Sequence, residues 1–263
     1  MQRPQYFVIS SSTMNENIRL LFQGARCLGV DLDHRQLTLF DLYQKELLHW
    51  NTKFNLISEK TTGEIISRHF LDSLTASNYL TSRTASIVCG HSEPIFPARN
   101  DSFENRLSDS DFFGLKVLDI GSGAGFPGIP LKIAFPSIQL YLLESNRKKN
   151  SFLKNIIRLL CLQDVFTFHD RAENIVRTHV WHEKFDIMVS RASLKLHDLL
   201  PLGIHFLSPG GRLVTLKGPS VSAEISLSFP QNDHLKFFNI FQYDIKLPIS
   251  GPPRKILVAC KVK

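Results

Sequence analysis

From residue 115 onward the chain alternates between two hydrophobic patterns. Short apolar runs at 117–120, 139–143, 165–169, 185–189 and 212–217 are separated by stretches of helical spacing at 130–135, 148–160, 172–178 and 196–206. In 148–160, Phe152, Leu153, Ile156, Ile157 and Leu160 share one face. Apolar runs of four to six residues bounded by turn residues read as buried strands, and apolar positions three and four apart read as amphipathic helices. Ser-Pro-Gly-Gly at 208–211 is expected to end the last helix. Repeated strand–helix units predict a parallel sheet covered by helices on both faces. Two later apolar segments, 237–246 and 256–262, flank a turn at Ser250-Gly-Pro-Pro253 and predict an antiparallel pair on the sheet edge. The fold class is α/β, with a mostly parallel seven-stranded sheet.

Upstream the pattern changes. Residues 1–17 look irregular, and helical spacing then runs from about 18 to 50 through Leu21, Phe22, Ala25 and Leu28, then Leu37, Phe40, Tyr43, Leu47 and Trp50. The polar stretch Asn51-Thr-Lys-Phe-Asn55 is expected to break it, and a further helix, capped by Thr62, is expected over about 63–80. These segments are too few for a separate large domain and predict a helical lid on the α/β core. Residues 81–114 carry Ser, Asp, Asn, Gly and two prolines without periodicity, which predicts a linker or insertion, disordered over about 90–110. The chain divides into an N-terminal extension with the lid (1–80), a flexible linker (81–114) and a ligand-binding domain (115–263).

Composition narrows the partners. Hydrophobic residues are 43% and charged residues 21%, which suits a packed core. The net charge of +7 points to an anionic partner, nucleic acid before membrane, because no basic amphipathic helix stands out. The four cysteines lie far apart without a Cys-x-x-Cys pair, so neither a metal site nor a disulfide framework is expected, and reduced thiols in a cytoplasm fit better. The N-terminus lacks a long apolar core of the signal-peptide kind, and no apolar run approaches the roughly 18 residues of a membrane span.

The chemistry concentrates at 116–128, Lys-Val-Leu-Asp-Ile-Gly-Ser-Gly-Ala-Gly-Phe-Pro-Gly. A strand ends here and the chain turns into a helix through alternating glycines, which accept positive φ and let a ligand approach bare backbone. The open end of a parallel strand is where α/β proteins bind ligands. Gly123-Ala-Gly125-Phe-Pro-Gly128 formally matches the dinucleotide fingerprint, a weak signal alone. Asp119 can hold the loop or meet a ligand ammonium, and Pro127 and Pro130 remove N–H donors where a pyrophosphate would want them. Asp-x-Gly-x-Gly-x-Gly after a strand resembles the first motif of S-adenosylmethionine-dependent methyltransferases. That cofactor is favoured over NAD or FAD, with Asp119, Gly121, Ser122, Gly123, Gly125 and Phe126 as its candidate contacts.

Glu144, at the tip of the second strand, is placed to accept from a ribose diol, a role NAD would share. Ser190-Arg191-Ala192 ends the fourth strand where amine-methylating enzymes carry Asn-Pro-Pro-Tyr, and no Pro-Cys pair for attack on a pyrimidine ring is present. Guanine N7 has a free lone pair and needs neither device. Alignment of nitrogen, methyl and sulfur suffices, with Arg191 free to meet a phosphate or guanine O6.

Leu47-Leu-His-Trp-Asn-Thr-Lys-Phe-Asn-Leu56, Arg68-His-Phe-Leu-Asp-Ser73, the loop at 121–128, Ser190-Arg-Ala192 and Leu216-Lys-Gly218 together resemble the bacterial glucose-inhibited division protein B family of 16S ribosomal RNA guanine-N7 methyltransferases. The resemblance implies a Rossmann-like class I methyltransferase fold and S-adenosylmethionine as cofactor. It implies that Gly121 and Phe126 hold the methionine part, Glu144 the ribose, and Ala172 and Glu173 the adenine. It also implies that Arg191 sits by the cofactor or base as the catalytic residue, that Lys217 binds RNA phosphate, and that His69 and Asp72 close over the cofactor. A cytoplasmic monomer acting on 16S ribosomal RNA or the small subunit is expected. A methyltransferase of protein or small molecules, and a non-catalytic ribosome-assembly factor, are the alternatives. The linker at 81–114 and the first thirty or so residues depart from the family's pattern.

Overall fold

The computed structural model describes residues 15–58, 61–81, 106–191, 194–218, 233–249 and 253–262. The expectations for 1–14, for most of the linker and for the turn at Ser250 lie outside the described residues. Seven strands form one sheet: β1 (Lys116–Ile120), β2 (Gln139–Leu143), β3 (Val165–Phe168), β4 (Phe185–Arg191), β5 (Leu207–Lys217), β6 (Phe238–Ile245) and β7 (Arg254–Lys261). The spatial order is β3-β2-β1-β4-β5-β7-β6. The first five strands pair in parallel, and β7 lies antiparallel between β5 and β6. The apolar runs thus became strands where expected, and the last two became the antiparallel edge pair.

Four helices follow β1 to β4 in turn: α3 (Gly128–Ala134), α4 (Arg147–Leu159), α5 (Ala172–Thr178) and α6 (Leu196–Phe206). Ahead of them stand α1 (Glu16–Cys27), α2 (His34–Phe54) and a mixed helical run over 62–79. Within that run, Ile66–Leu71 is a π-helical turn. Alternate strand residues face opposite cores. Val117, Leu140, Leu142, Val189 and Val258 pack with the N-terminal helices, α3 and α4, while Leu118, Ile120, Leu143, Met188 and Leu257 pack with α5 and α6. Leu21, Phe40, Tyr43 and Phe70 belong to the first core, so the N-terminal helices share it with the sheet.

Four details differ from the sequence reading. The end of the expected disordered stretch is ordered, because Leu107 N donates to the Gly29 carbonyl at 3.0 Å and Asp109–Phe112 forms a 3-10 turn that buries Phe112. The helical stretch near 18–50 is two helices. Gly29 turns the chain at φ 77°, and Asp33 starts α2 with a capping box, its carboxylate accepting from Gln36 N while Gln36 Oε1 accepts from Asp33 N. The polar residues after Asn51 do not break α2, because Thr52 and Lys53 face solvent; the helix ends where Asn55 turns left-handed at φ 47°. Ser208-Pro-Gly-Gly is not the stop after α6 but the start of β5. The register shifts at Phe185/Ile187, and a Cβ on Gly211 would lie 2.9–3.2 Å from three backbone carbonyls, so only glycine fits that irregularity.

The strand order reverses between β1 and β4. Ligands of open α/β sheets bind at such a switch point, beyond the carboxyl ends of the strands.

Candidate active site

A cleft of about 400 Å³ opens at that switch point. Its floor is the loop after β1. Gly121 and Ser122 donate to the Leu143 carbonyl at 2.9 and 3.2 Å, and Ser122 Oγ donates to the Asp119 carbonyl at 2.9 Å. Gly125 N closes the turn on the Ser122 carbonyl at 2.7 Å. Gly121, Gly123 and Gly125 have φ of 67°, 59° and 98°, the left-handed region that favours glycine.

The glycines differ in what surrounds them. A Cβ on Gly123 would meet nothing nearer than the Gly121 carbonyl oxygen at 3.9 Å, so bare backbone faces open space. A Cβ on Gly125 would lie 2.6 Å from Ile129 Cδ1 and 2.8 Å from the Tyr43 hydroxyl, and one on Gly128 would lie 2.7 Å from Asp119 Oδ2.

Asp119 is fully buried beneath the loop. Its Oδ2 accepts from Gly128 N at 2.9 Å, while Oδ1 has no hydrogen-bond partner. Burial pushes its pKa up to about 7, against the opposing pull of the Gly128 N–H and Arg191. Of the two roles open to Asp119, the geometry shows the first: it holds the loop from below and does not line the cleft. Glu144 is likewise a brace, accepting from Gly123 N at 2.8 Å through Oε2 and from Asn146 N at 2.7 Å through Oε1. Ala172 and Glu173 start α5 at the same edge of the sheet, Ala172 buried and Glu173 exposed, and neither lines the cleft.

The opposite wall is ionic. Arg191, at the end of β4, lies with its guanidinium carbon 5.0 Å from the centre of the Phe126 ring. It donates to the Arg68 carbonyl at 3.0 Å and to Asp72 Oδ2 at 3.3 Å, and it contacts His69 Nδ1. His69 stacks on Phe126 with ring centres 4.6 Å apart. Asp72 also sits 3.3 Å from Arg254 Nε through Oδ1, so one buried carboxylate is shared by two arginines. The Nε–Oδ1 pair satisfies the ion-pair distance but not hydrogen-bond alignment. Burial raises the Asp72 pKa even so, with both arginines acting to lower it. Lys217, at the end of β5, lines the cleft and donates to the Leu194 carbonyl at 2.5 Å. Of the motif Ser190-Arg-Ala, Ala192 lies outside the described residues.

The structure therefore brings Gly121, Ser122, Gly123, Phe126, His69, Asp72, Arg191 and Lys217 to one cleft. It places Asp119, Gly125 and Glu144 behind the floor and Ala172 and Glu173 farther along the edge. Three lining or supporting residues carry no motif. Lys149 comes from α4, and Tyr43 supports the loop from α2 through its hydroxyl, which donates to the Ala124 carbonyl at 2.5 Å. Arg254 enters because the antiparallel register sets the start of β7 beside the end of β5, Lys217 opposite Lys255. That pairing is the signal that could have found it. Among the described residues, no three His, Cys, Asp or Glu side chains gather to hold a metal ion, and no helix is long and apolar enough to cross a membrane.

A family profile described as rRNA small subunit methyltransferase G matches residues 36–90 and 105–242 of this chain. The chain is 36% identical over 244 residues to the ribosomal RNA small subunit methyltransferase G of Syntrophus aciditrophicus, covering 91% of this chain and 88% of the relative. It is 33% identical to the protein of that name from Caldanaerobacter subterraneus, covering 94% and 91%. Among solved structures, TrmN from Thermus thermophilus is similar at 16% identity and a TM-score of 0.47, covering 75% of this chain and 53% of that one.

Proposed function

The chain belongs to the rRNA small subunit methyltransferase G family, and from that membership and the cleft's geometry we propose that it methylates N7 of a guanine in 16S ribosomal RNA, using S-adenosylmethionine. One observation carries the reading. Three stretches far apart in sequence, 68–72, 121–126 and 190–191, meet in a single cleft at the switch point of the sheet.

The residues present fit a sulfonium nucleoside. The Gly123 backbone is bare toward the cleft, and the cleft falls in the usual size range for small-molecule sites. Gly121, Ser122, Gly123 and Phe126 would hold the methionine end. Glu144 would take the ribose, since a carboxylate oxygen that accepts one N–H keeps a second lone pair. Ala172 and Glu173 would flank the adenine. Bound there, the cofactor supplies an electrophilic methyl group.

The chain's own task is then alignment. Guanine N7 needs no proton removed before it attacks. The wall offers no idle base to remove one, because Asp72 is held between two arginines and His69 is engaged by Arg191. Arg191 is the catalytic residue in this reading, meeting guanine O6 or a phosphate while its stacking on Phe126 fixes the plane of approach. Lys217 meets RNA phosphate. The reading places the protein in the cytoplasm, as a monomer acting on 16S ribosomal RNA or the small subunit.

Calorimetric titration with S-adenosylmethionine and with NAD tests the cofactor, and saturable heat is expected from the first alone. Mass mapping of 16S ribosomal RNA from a deletion strain tests the acceptor. Loss of one N7-methylguanine is expected, and an unchanged modification profile would sink the proposal.

A further inference from the structure

At the lip of the cleft, α2 ends and α4 begins, and both continue directly into lining residues. Phe54 is followed by Leu56, Ile57 and Ser58, and Lys148 by Lys149. Phe54 is 36% exposed. One turn beneath it, Trp50 packs edge-on against the buried Phe152 ring at 5.5 Å, and its Nε1 donates to Glu46 Oε1 at 2.8 Å. Asn155 of α4 donates to the same oxygen at 2.7 Å, so the pedestal is locked to both helices. Phe54 rests on Trp50 with ring centres 5.3 Å apart, and the Lys148 ammonium lies 5.6 Å from the Phe54 centre.

Phe54 belongs to neither hydrophobic core, so its ring is held at the surface by Trp50 and, through it, Phe152. The charge around the ring is mainly positive, with the acidic Glu46 beneath Trp50 held by Trp50 and Asn155. The stretches 51–58 and 145–155 contain Lys53, Arg147, Lys148, Lys149 and Lys154 and no acidic residue. An exposed π-face with one ammonium over it, on segments rich in Lys and Arg, suits single-stranded nucleic acid, whose bases stack on aromatic side chains while the phosphates meet Lys and Arg.

We infer that Phe54 is a stacking platform for an unpaired base of the ribosomal RNA next to the methyl-accepting guanine. Lys148 covers the ring in the free protein and swings onto the flanking phosphate when RNA arrives. The inference rests on RNA being the substrate, but not on which atom is methylated.

The test is binding of in-vitro-transcribed small-subunit ribosomal RNA by the full chain, with salt varied, for wild type, Phe54→Ala, Phe54→Trp and Lys148→Gln. Phe54→Ala is expected to weaken binding about tenfold at every salt concentration, within the range for losing one base–aromatic stack, and Phe54→Trp to restore it. Lys148→Gln is expected to lower the slope of log affinity against log salt by about one, the signature of a lost phosphate contact. Affinity for S-adenosylmethionine stays unchanged in Phe54→Ala, which shows that the cleft is still folded. Equal RNA affinity of Phe54→Ala and wild type, failure of Phe54→Trp to restore binding, or no RNA binding by wild type overturns the platform. Binding that depends on Phe54 without methyl transfer to guanine N7 would overturn the proposed chemistry and leave the platform standing.

Discussion

The two walls of the cleft are built by opposite means. The floor, 119–128, is fixed by backbone: positive-φ glycines, amide bonds to Leu143, and two carboxylates that brace the loop from behind. The facing wall is fixed by charge: Arg191 and Arg254 share Asp72, and His69 and Phe126 stack beside them. The floor sets a shape, held by Gly125 and Gly128, which admit no side chain, and by two carboxylates that bond its backbone. The wall sets a field that depends on three ionised groups staying in register. The comparison teaches where each kind of damage should appear, in folding for the floor and in turnover for the wall.

Arg191→Ala attacks the wall and carries the largest expected effect. It removes the cation over Phe126 and leaves Asp72 paired with Arg254 alone. Arg191 is the group that meets guanine O6 or a phosphate during transfer, so its loss is expected to lower kcat/KM for RNA methylation by about 100-fold or more, the scale for removing one donor that acts in the transition state. Urea unfolding should show the sheet intact. A variant retaining near-normal turnover would break the contrast.

Gly128→Ala attacks the floor. Its Cβ would be forced against Asp119 Oδ2 at 2.7 Å and Leu142 Cδ2 at 2.9 Å, so a loss of about 2–3 kcal/mol in unfolding free energy is expected. Gly123→Ala sharpens the point. It meets open space and bears only the left-handed backbone cost of about 1–2 kcal/mol. Equal destabilisation of the two would show that close approach at Gly128 costs no more than the left-handed backbone at Gly123.

The smallest effect, at most about 1.4 kcal/mol per pH unit, is a slope. In the folded chain Asp119 holds its proton up to about pH 7, whereas its ordinary value is 3.8. Between those values the folded state binds more protons than the unfolded one, so this residue's contribution to stability falls as pH rises from about 4 to about 7 and levels off above. Asp119→Asn, measured by urea unfolding across that range, is expected to remove that component. A slope identical to wild type would place the proton elsewhere.

How much of this could be read from residue order follows the same division. The strands were legible because buried parallel strands are short apolar runs bounded by turn residues, and the floor was legible because its alternating glycines fall within one short stretch. The wall was legible only in part. His69, Asp72 and Arg191 sit in motifs, but Arg254 reaches Asp72 through the pairing of β5 with β7, which no local pattern encodes. The π-helical turn over Ile66–Leu71, at the segment that carries Arg68 and His69, was equally invisible, since it differs from an α-helix by a single inserted residue. Ser208-Pro-Gly-Gly misled for a related reason. Those residues usually end an element, but here the irregular pairing with β4 absorbs them into β5.

The central claim is that the ionic wall presents a guanine N7 to a methyl donor bound over the glycine floor. The most direct measurement is incubation of small subunits from a deletion strain with methyl-labelled S-adenosylmethionine, followed by strand scission specific for N7-methylguanine. The account predicts label at a single guanine of 16S ribosomal RNA, released by that scission, and none with Arg191→Ala. Label on another base atom, on ribosomal protein, or undiminished in Arg191→Ala would contradict it.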